Sequence, residues 1–199
     1  MEAERKIIEG ALKLYLKYGV KSVTMDDVAK YLGVSKKTLY QYVSNKVELI
    51  DKCLIFYFEE HMRDINLIIK TTSNPIDELL SIDKNVCQEA NKRNPSLFFE
   101  IQKYYPAIYK KLMQLNGKYV YQTLIKNLEL GIEMGLYRDD MDIEIIAKLY
   151  VSRIDNLIDT DLFPIEEFDF NELVDQNFKY HLRGIVSRKG LDYLEITMN

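Results

Sequence analysis

Glycine and proline are scarce, 8 and 4 among 199 residues, about half the combined share usual in soluble proteins. So little punctuation excludes an architecture of many short strands and tight turns, and it excludes low-complexity disorder. Cysteine is scarcer. Cys53 and Cys87 stand apart with no CxxC, which leaves neither a disulfide framework nor a cysteine-rich zinc site. Histidine is limited to His61 and His181, without HExxH or a cluster of His and Asp, so no metal and no cofactor are expected. No apolar run approaches the 18 residues that suggest a membrane span. The opening MEAERKIIEG lacks the apolar core of a secretory signal, so none is expected. GxSxG, GxGxxG and P-loop sequences are missing, and an enzyme is not expected.

What is present is a globular balance: 47% hydrophobic and 29% charged residues, in a chain long enough to bury roughly 70% of its unfolded surface. A soluble, cytoplasmic protein is the expectation. The net charge of −4 hides an asymmetry: residues 1–50 hold nine Lys or Arg against six acids, while the remainder holds 18 against 25. A basic head on an acidic body points to an anionic partner for the head.

Helix signals recur along the chain, and no segment alternates with period 2. Apolar residues at helical spacing over 2–18 end at Gly19. Thr24 can cap a helix over Met25–Leu32, with Asp26 and Asp27 in its first turn and Gly33 as the stop. Ser35 can cap Lys36–Tyr42, and Ser44 or Asn45 a long helix to about Thr71. Asn74-Pro75 and Asn94-Pro95 open helices near 75 and 95. Tyr105-Pro106 opens another that reaches Gly135. Asp142 caps a helix to about Asp159, and Asn171 or Asp169 caps a last one ending near Gly190. The fold class expected is all-α.

Residues 24–43 carry the most specific pattern. Val28, Ala29 and Leu32 face inward on one helix, Gly33 makes a tight turn, and Val34, Leu39 and Val43 face inward after it. That is a helix-turn-helix, whose second helix enters the DNA major groove. Its outer face presents Ser35, Lys36, Lys37, Thr38, Gln41 and Tyr42, donors suited to phosphates and base edges. With Gly19, Thr24, Val28, Ala29, Gly33, Val34, Ser35, Thr38, Leu39, Tyr40, Tyr42, Lys46 and Leu49 in register, residues 7–52 resemble the DNA-binding head of the tetracycline-repressor (TetR) family. Lys37 and Val43 depart from the usual pattern, where a small residue and Phe are common.

The resemblance implies a head over 1–46 that binds double-stranded DNA at a palindromic operator. It also implies a body over 47–199 that binds an effector and forms a homodimer. It implies that Thr24 and Lys46 meet phosphates at helix N-termini, that Tyr42 contacts phosphate, and that Tyr40 is partly packed yet faces the backbone. Repression relieved by a small, largely apolar effector is the expected activity. The alternative is a helix-turn-helix regulator whose body is a protein-interaction module without a small ligand. Phe58, Met62, Cys87, Phe98, Tyr104, Tyr105, Tyr109, Met113 and Tyr121 form the aromatic and sulfur-rich stock from which an apolar pocket is built. Arg153 shares an apolar stripe and would need a partner inside: an acidic ligand, Glu100, or Asp155 of a second subunit. For the dimer, the apolar stripes of the last two long helices are the candidates, Ile146, Tyr150 and Ile154 on one and Val174, Phe178, His181, Leu182 and Ile185 on the other.

Overall fold

The computed structural model describes residues 2–198 apart from 93, 95, 158, 160 and 165, with the backbone alone at 155 and 198. The helices are α1 (Glu2–Tyr18), α2 (Met25–Leu32), α3 (Lys36–Leu39), α4 (Lys46–Thr71), α5 (Pro75–Ala90), α6 (Leu97–Tyr104), α7 (Pro106–Glu133), α8 (Ile143–Asn156), α9 (Phe170–Ile185) and α10 (Arg188–Met198). Among the described residues there is no strand, and the one isolated bridge joins Tyr137 and Val186. The protein is all-α, as expected.

The caps explain most boundaries. Thr24 accepts from the Asp27 N–H while the Asp27 carboxylate accepts from the Thr24 N–H, a reciprocal capping box. Gly33 (φ 66°) closes α2 in the left-handed conformation that glycine tolerates. Asn45 accepts from the Glu48 N–H at the head of α4, Asn74 from that of Ile76, and Asp142 and Asp169 cap α8 and α9. Four expectations need correction. Regular α3 stops at Leu39, and residues 40–42 continue as turns through Gln41 N–H to Thr38 O (3.2 Å) and Tyr42 N–H to Leu39 O (3.1 Å). Helix α6 begins at Leu97, and Pro95 lies outside the described residues. Helix α8 ends at Asn156 rather than 159. Helix α9 ends at Ile185, where extended Val186 breaks it, and a separate α10 follows.

The chain packs as two units, Met1–Arg63 with Asn91–Gln114, and Asp64–Ala90 with Leu115–Asn199. The boundary read at 46/47 coincides with the start of α4, but packing puts that helix's first part with the head. The reason is burial. Leu49, Ile50, Cys53 and Leu54 of α4 share one core with Ile7, Ala11 and Tyr15 of α1, Val28 of α2, Leu39, and Leu97 and Ile101 of α6. Each Leu, Ile or Val among them taken from water contributes about 1.5–3 kcal/mol. A Cβ on Gly10 would lie 2.3 Å from Leu32 Cδ2, so glycine there is what lets α1 and α2 approach. Residues 94–100 are bonded to the same unit: Asn94 N–H donates to Leu16 O (2.6 Å) and Lys21 N–H to Glu100 Oε2 (2.8 Å).

In the second unit, Ile76, Leu79, Leu124, Leu128, Ala147, Phe178, Leu182, Ile185 and Leu194 form the core. A polar group is threaded through it. Asn127 Nδ2 donates to Pro75 O (3.0 Å) and Glu78 Oε1 (2.9 Å), and Tyr137 OH donates to Asn127 Oδ1 (3.0 Å). Burial raises the Glu78 carboxyl, with Asn127 opposing. Below it, Ser187 N–H donates to Leu136 O (2.9 Å), Ser187 Oγ to Gly135 O (2.7 Å) and Arg138 N–H to Ile185 O (3.0 Å), binding the start of α10 to the α7–α8 link.

Candidate nucleic-acid interface

Buried Leu39 and Val43, with half-buried Val34, seat α3 and its turn on the first unit's core. This fixes which side chains look outward. Ser35 caps α3 by accepting from Thr38 N–H (3.0 Å), and the two hydroxyls pair at 2.8 Å. Lys37, Tyr40 and Gln41 are exposed. Tyr40 is 44% exposed whereas Tyr42 packs partly buried against the core, so Tyr40 is the more available ring and the two roles implied by the resemblance are exchanged in exposure. The Tyr42 carbonyl accepts from Lys52 Nζ (3.1 Å), which also pairs with Glu4 (2.8 Å) and Glu48 (3.2 Å).

The charges nearby are partly engaged. Lys36 Nζ bridges to Asp26 at 2.9 Å, which holds its ammonium more firmly protonated. Lys46 Nζ donates to Lys21 O (3.4 Å), and burial pulls its ammonium below the ordinary lysine value. The Asp27 carboxyl is held below the usual range by the Thr24 hydroxyl and N–H. Thr24 itself is exposed at the N-terminus of α2. The nine expected contact residues therefore share one unit, with Lys37, Tyr40 and Gln41 open and Lys36 and Lys46 pre-engaged. Lys21 lies beside the expected set, its carbonyl accepting from Lys46 Nζ and its own Nζ over Tyr104 (5.2 Å).

The ten expected pocket residues fall in both units. Phe58, Phe98, Tyr105, Tyr109 and Met113 pack against the first unit's core, and Met62 is buried. Tyr104 is 43% exposed under Lys21 and Lys103 and does not face an interior. In the second unit, Tyr121 packs against the core and Cys87 is half-buried, its thiol raised by burial and by Asp83. Arg153 Nη2 lies 3.3 Å from His181 Nδ1, with its guanidinium over Tyr180 (5.1 Å) and Tyr150 (5.8 Å). Glu100, one partner expected for it, is bonded to Lys21 in the first unit. The side chain of Asp155 lies outside the described residues.

The residues expected at a dimer face divide by burial. Phe178, His181, Leu182 and Ile185 are buried in the second unit's own core, and Ile146 and Tyr150 pack against it. Val174 and Ile154 are half-buried. The exposed apolar residues of these helices lie on other positions: Ile145 (56%), Leu149 (55%) and Tyr180 (74%).

Among the described residues no three His, Cys, Asp or Glu side chains come together as metal ligands, and no helix is long and apolar enough to cross a membrane. The family model for bacterial regulatory proteins of the tetR family matches residues 7–53. The HTH-type transcriptional repressor KstR2 of Mycobacterium tuberculosis is 20% identical over 146 residues, 72% of this chain and 73% of that protein. The HTH-type transcriptional regulator YhgD of Bacillus subtilis is 40% identical over 62 residues, 30% of this chain and 32% of that one. A transcriptional regulator from Saccharomonospora viridis, solved in complex with choline, shares the fold with a TM-score of 0.73 at 20% identity, covering 94% of this chain and 99% of that one. The matched segment contains the capping box, the left-handed Gly33 and the outward face of α3, and over residues 7–53 the chain carries the DNA-binding segment of the tetR family of bacterial transcriptional regulators.

Proposed function

We propose that the protein is a homodimeric, cytoplasmic repressor that occupies a palindromic operator and leaves it when a small, largely apolar effector binds its helical body. The observation that carries the DNA reading is the outward face of α3 and its turn. Lys37, Tyr40 and Gln41 are exposed on an element whose other side, Leu39 and Val43, is buried. Lys37 and Gln41 are suited to base edges, and Thr24, Ser35, Lys36, Thr38, Tyr40, Tyr42 and Lys46 to the backbone on either side. One head makes few contacts, so two must act together at a spacing of about one helical turn or a multiple of it. The outward positions Ile145 and Leu149 of α8 and Tyr180 of α9 supply the apolar surface for that pairing.

Repression is favoured because KstR2 is named a repressor. The effector reading draws on the aromatic and Met stock of the body and on the choline found with the Saccharomonospora viridis regulator, a precedent for a small ligand in this fold. Selection of bound sites from random DNA with the full chain tests the core of the proposal. Recovery of a palindrome with two regularly spaced half-sites is expected. Unenriched sequences, or a single unrepeated half-site bound by a monomer, would overturn it.

A further inference from the structure

A guanidinium has no lone pair to offer, so the 3.3 Å contact between Arg153 Nη2 and His181 Nδ1 runs from the arginine to the ring. Nδ1 is then bare and the ring proton sits on Nε2. Burial, reinforced by the Arg153 charge, pushes the His181 imidazolium down to about 3 and keeps the ring neutral. His181 is only 4% exposed, and its Nε2 is buried without a hydrogen-bond partner. Arg153 Nε is buried and unpartnered in the same way. The result is two inward N–H donors beside one fixed positive charge. The faces of Tyr150 and Tyr180 hold the guanidinium in place, and Tyr150 stacks obliquely on His181 with ring centroids 4.3 Å apart. Buried donors ordinarily have acceptors, and among the described residues Arg153 Nε and His181 Nε2 have none.

We infer that Arg153 and His181 form the head-group end of a ligand site in the second unit, taking an oxyanion (a carboxylate or a phosphate ester) carried on an apolar or aromatic body. Two N–H donors and a positive charge match the oxygens of such a group, and the ring of Tyr150, packed against the second unit's core, matches its body. The inference deepens the effector reading above and rests on it for regulation. Its binding test involves no DNA, so failure of one is distinguishable from failure of the other.

The test uses the full chain with sodium benzoate and phenyl phosphate as probes, benzamide as the neutral isostere, and sodium chloride to match ionic strength. At about ten times its Kd, an oxyanion bound only to the folded state raises the melting midpoint by about 3 °C or more. The expected result is a rise with one or both oxyanions, none with benzamide, and loss of the response in Arg153→Met. Which oxyanion acts distinguishes the carboxylate from the phosphate source. The proposal is overturned if neither oxyanion acts on the wild type, if benzamide acts equally, or if Arg153→Met responds like the wild type. It is also overturned if Arg153→Met sediments as a monomer where the wild type is a dimer, because an acid of a second subunit would then be the missing acceptor.

Discussion

The Glu100 carboxylate accepts from the Lys21 backbone N–H at 2.8 Å, and its oxygens stand 2.6 and 2.9 Å from where a Cβ on Gly19 would be. Helix α6 thus steadies the bend between α1 and α2 through one acid and one absent side chain. Glu100→Ala should cost about 1 kcal/mol in urea unfolding of the full chain. Gly19→Ala should cost about 1–2 kcal/mol, because φ is 78° there and the carboxylate must also retreat. Equal stability of Gly19→Ala and wild type would show that the bend relaxes freely.

Operator affinity should fall steeply with salt. With roughly six to ten phosphate contacts per dimer, the loss between 50 and 200 mM is about a thousandfold or more. Asp26→Asn should tighten binding severalfold, since it frees Lys36 from its 2.9 Å partner and removes a negative charge beside α3. Weaker binding by Asp26→Asn would mean that the ion pair positions α3 rather than competing with phosphate.

The lysines should separate by kind. Lys46→Ala should weaken binding to all sequences about equally. Lys37→Ala and Gln41→Ala should alter preference at one base position by roughly 1–3 kcal/mol. An operator library scored against each variant shows the difference, and identical profiles would reverse the orientation assigned to α3.

Dimerisation should respond to the exposed positions and not the buried ones. Leu149→Glu or Ile145→Asp should leave a folded, helical monomer that has lost operator binding, seen by sedimentation and circular dichroism. Phe178→Asp should instead unfold the second unit, because it buries a charge in that unit's core. A folded monomer from Phe178→Asp would restore the interface first expected from the apolar stripe.

Stability should decline in acid. His181 has its folded value depressed to about 3, so its contribution is fully present above the ordinary histidine value near 6.5 and is lost as pH falls toward 3. Asp83, raised to about 6 by burial and by Asp175, works the other way: its penalty grows as pH rises from about 4 to 6. Between pH 6.5 and 4 the two nearly offset, and the histidine loss runs unopposed as pH falls from about 4 toward 3, so urea midpoints should drop there. Asp83→Asn should bring the fall forward into the interval from 6.5 to 4, and His181→Phe should turn it into a rise. An Asp83→Asn midpoint unchanged over that interval would contradict the burial of the neutral ring.

The head was legible in the sequence because its signals are local. Thr24, Gly33 and Ser35 each act within three or four residues, and a cap satisfies the backbone whatever lies across the core. The α9 stripe was legible as buried but not as buried against what, since Phe178 and Leu182 would look the same facing their own chain or a second copy. Helix α10 was missed because neither Gly nor Pro separates it from α9. The break lies at extended Val186, and its sequence signal was Ser187, whose Oγ accepts from Gly190 N–H at 3.1 Å. Gly10 left no readable mark at all. Its contact with Leu32 depends on how two helices cross, which no local spacing encodes.

Gly190 decides how α10 is seated. A Cβ there would lie 2.0 Å from Leu136 O, so α10 rests directly on the backbone of the α7–α8 link, with Lys189 Nζ reaching Met134 O at 2.9 Å and Leu194 buried beneath it. A helix seated this way is a stopper. Proteolytic clipping after Val186 would unroof the hydrophobic interior around Tyr137 and Leu182, and the clipped form would be prone to aggregate rather than act as a trimmed regulator.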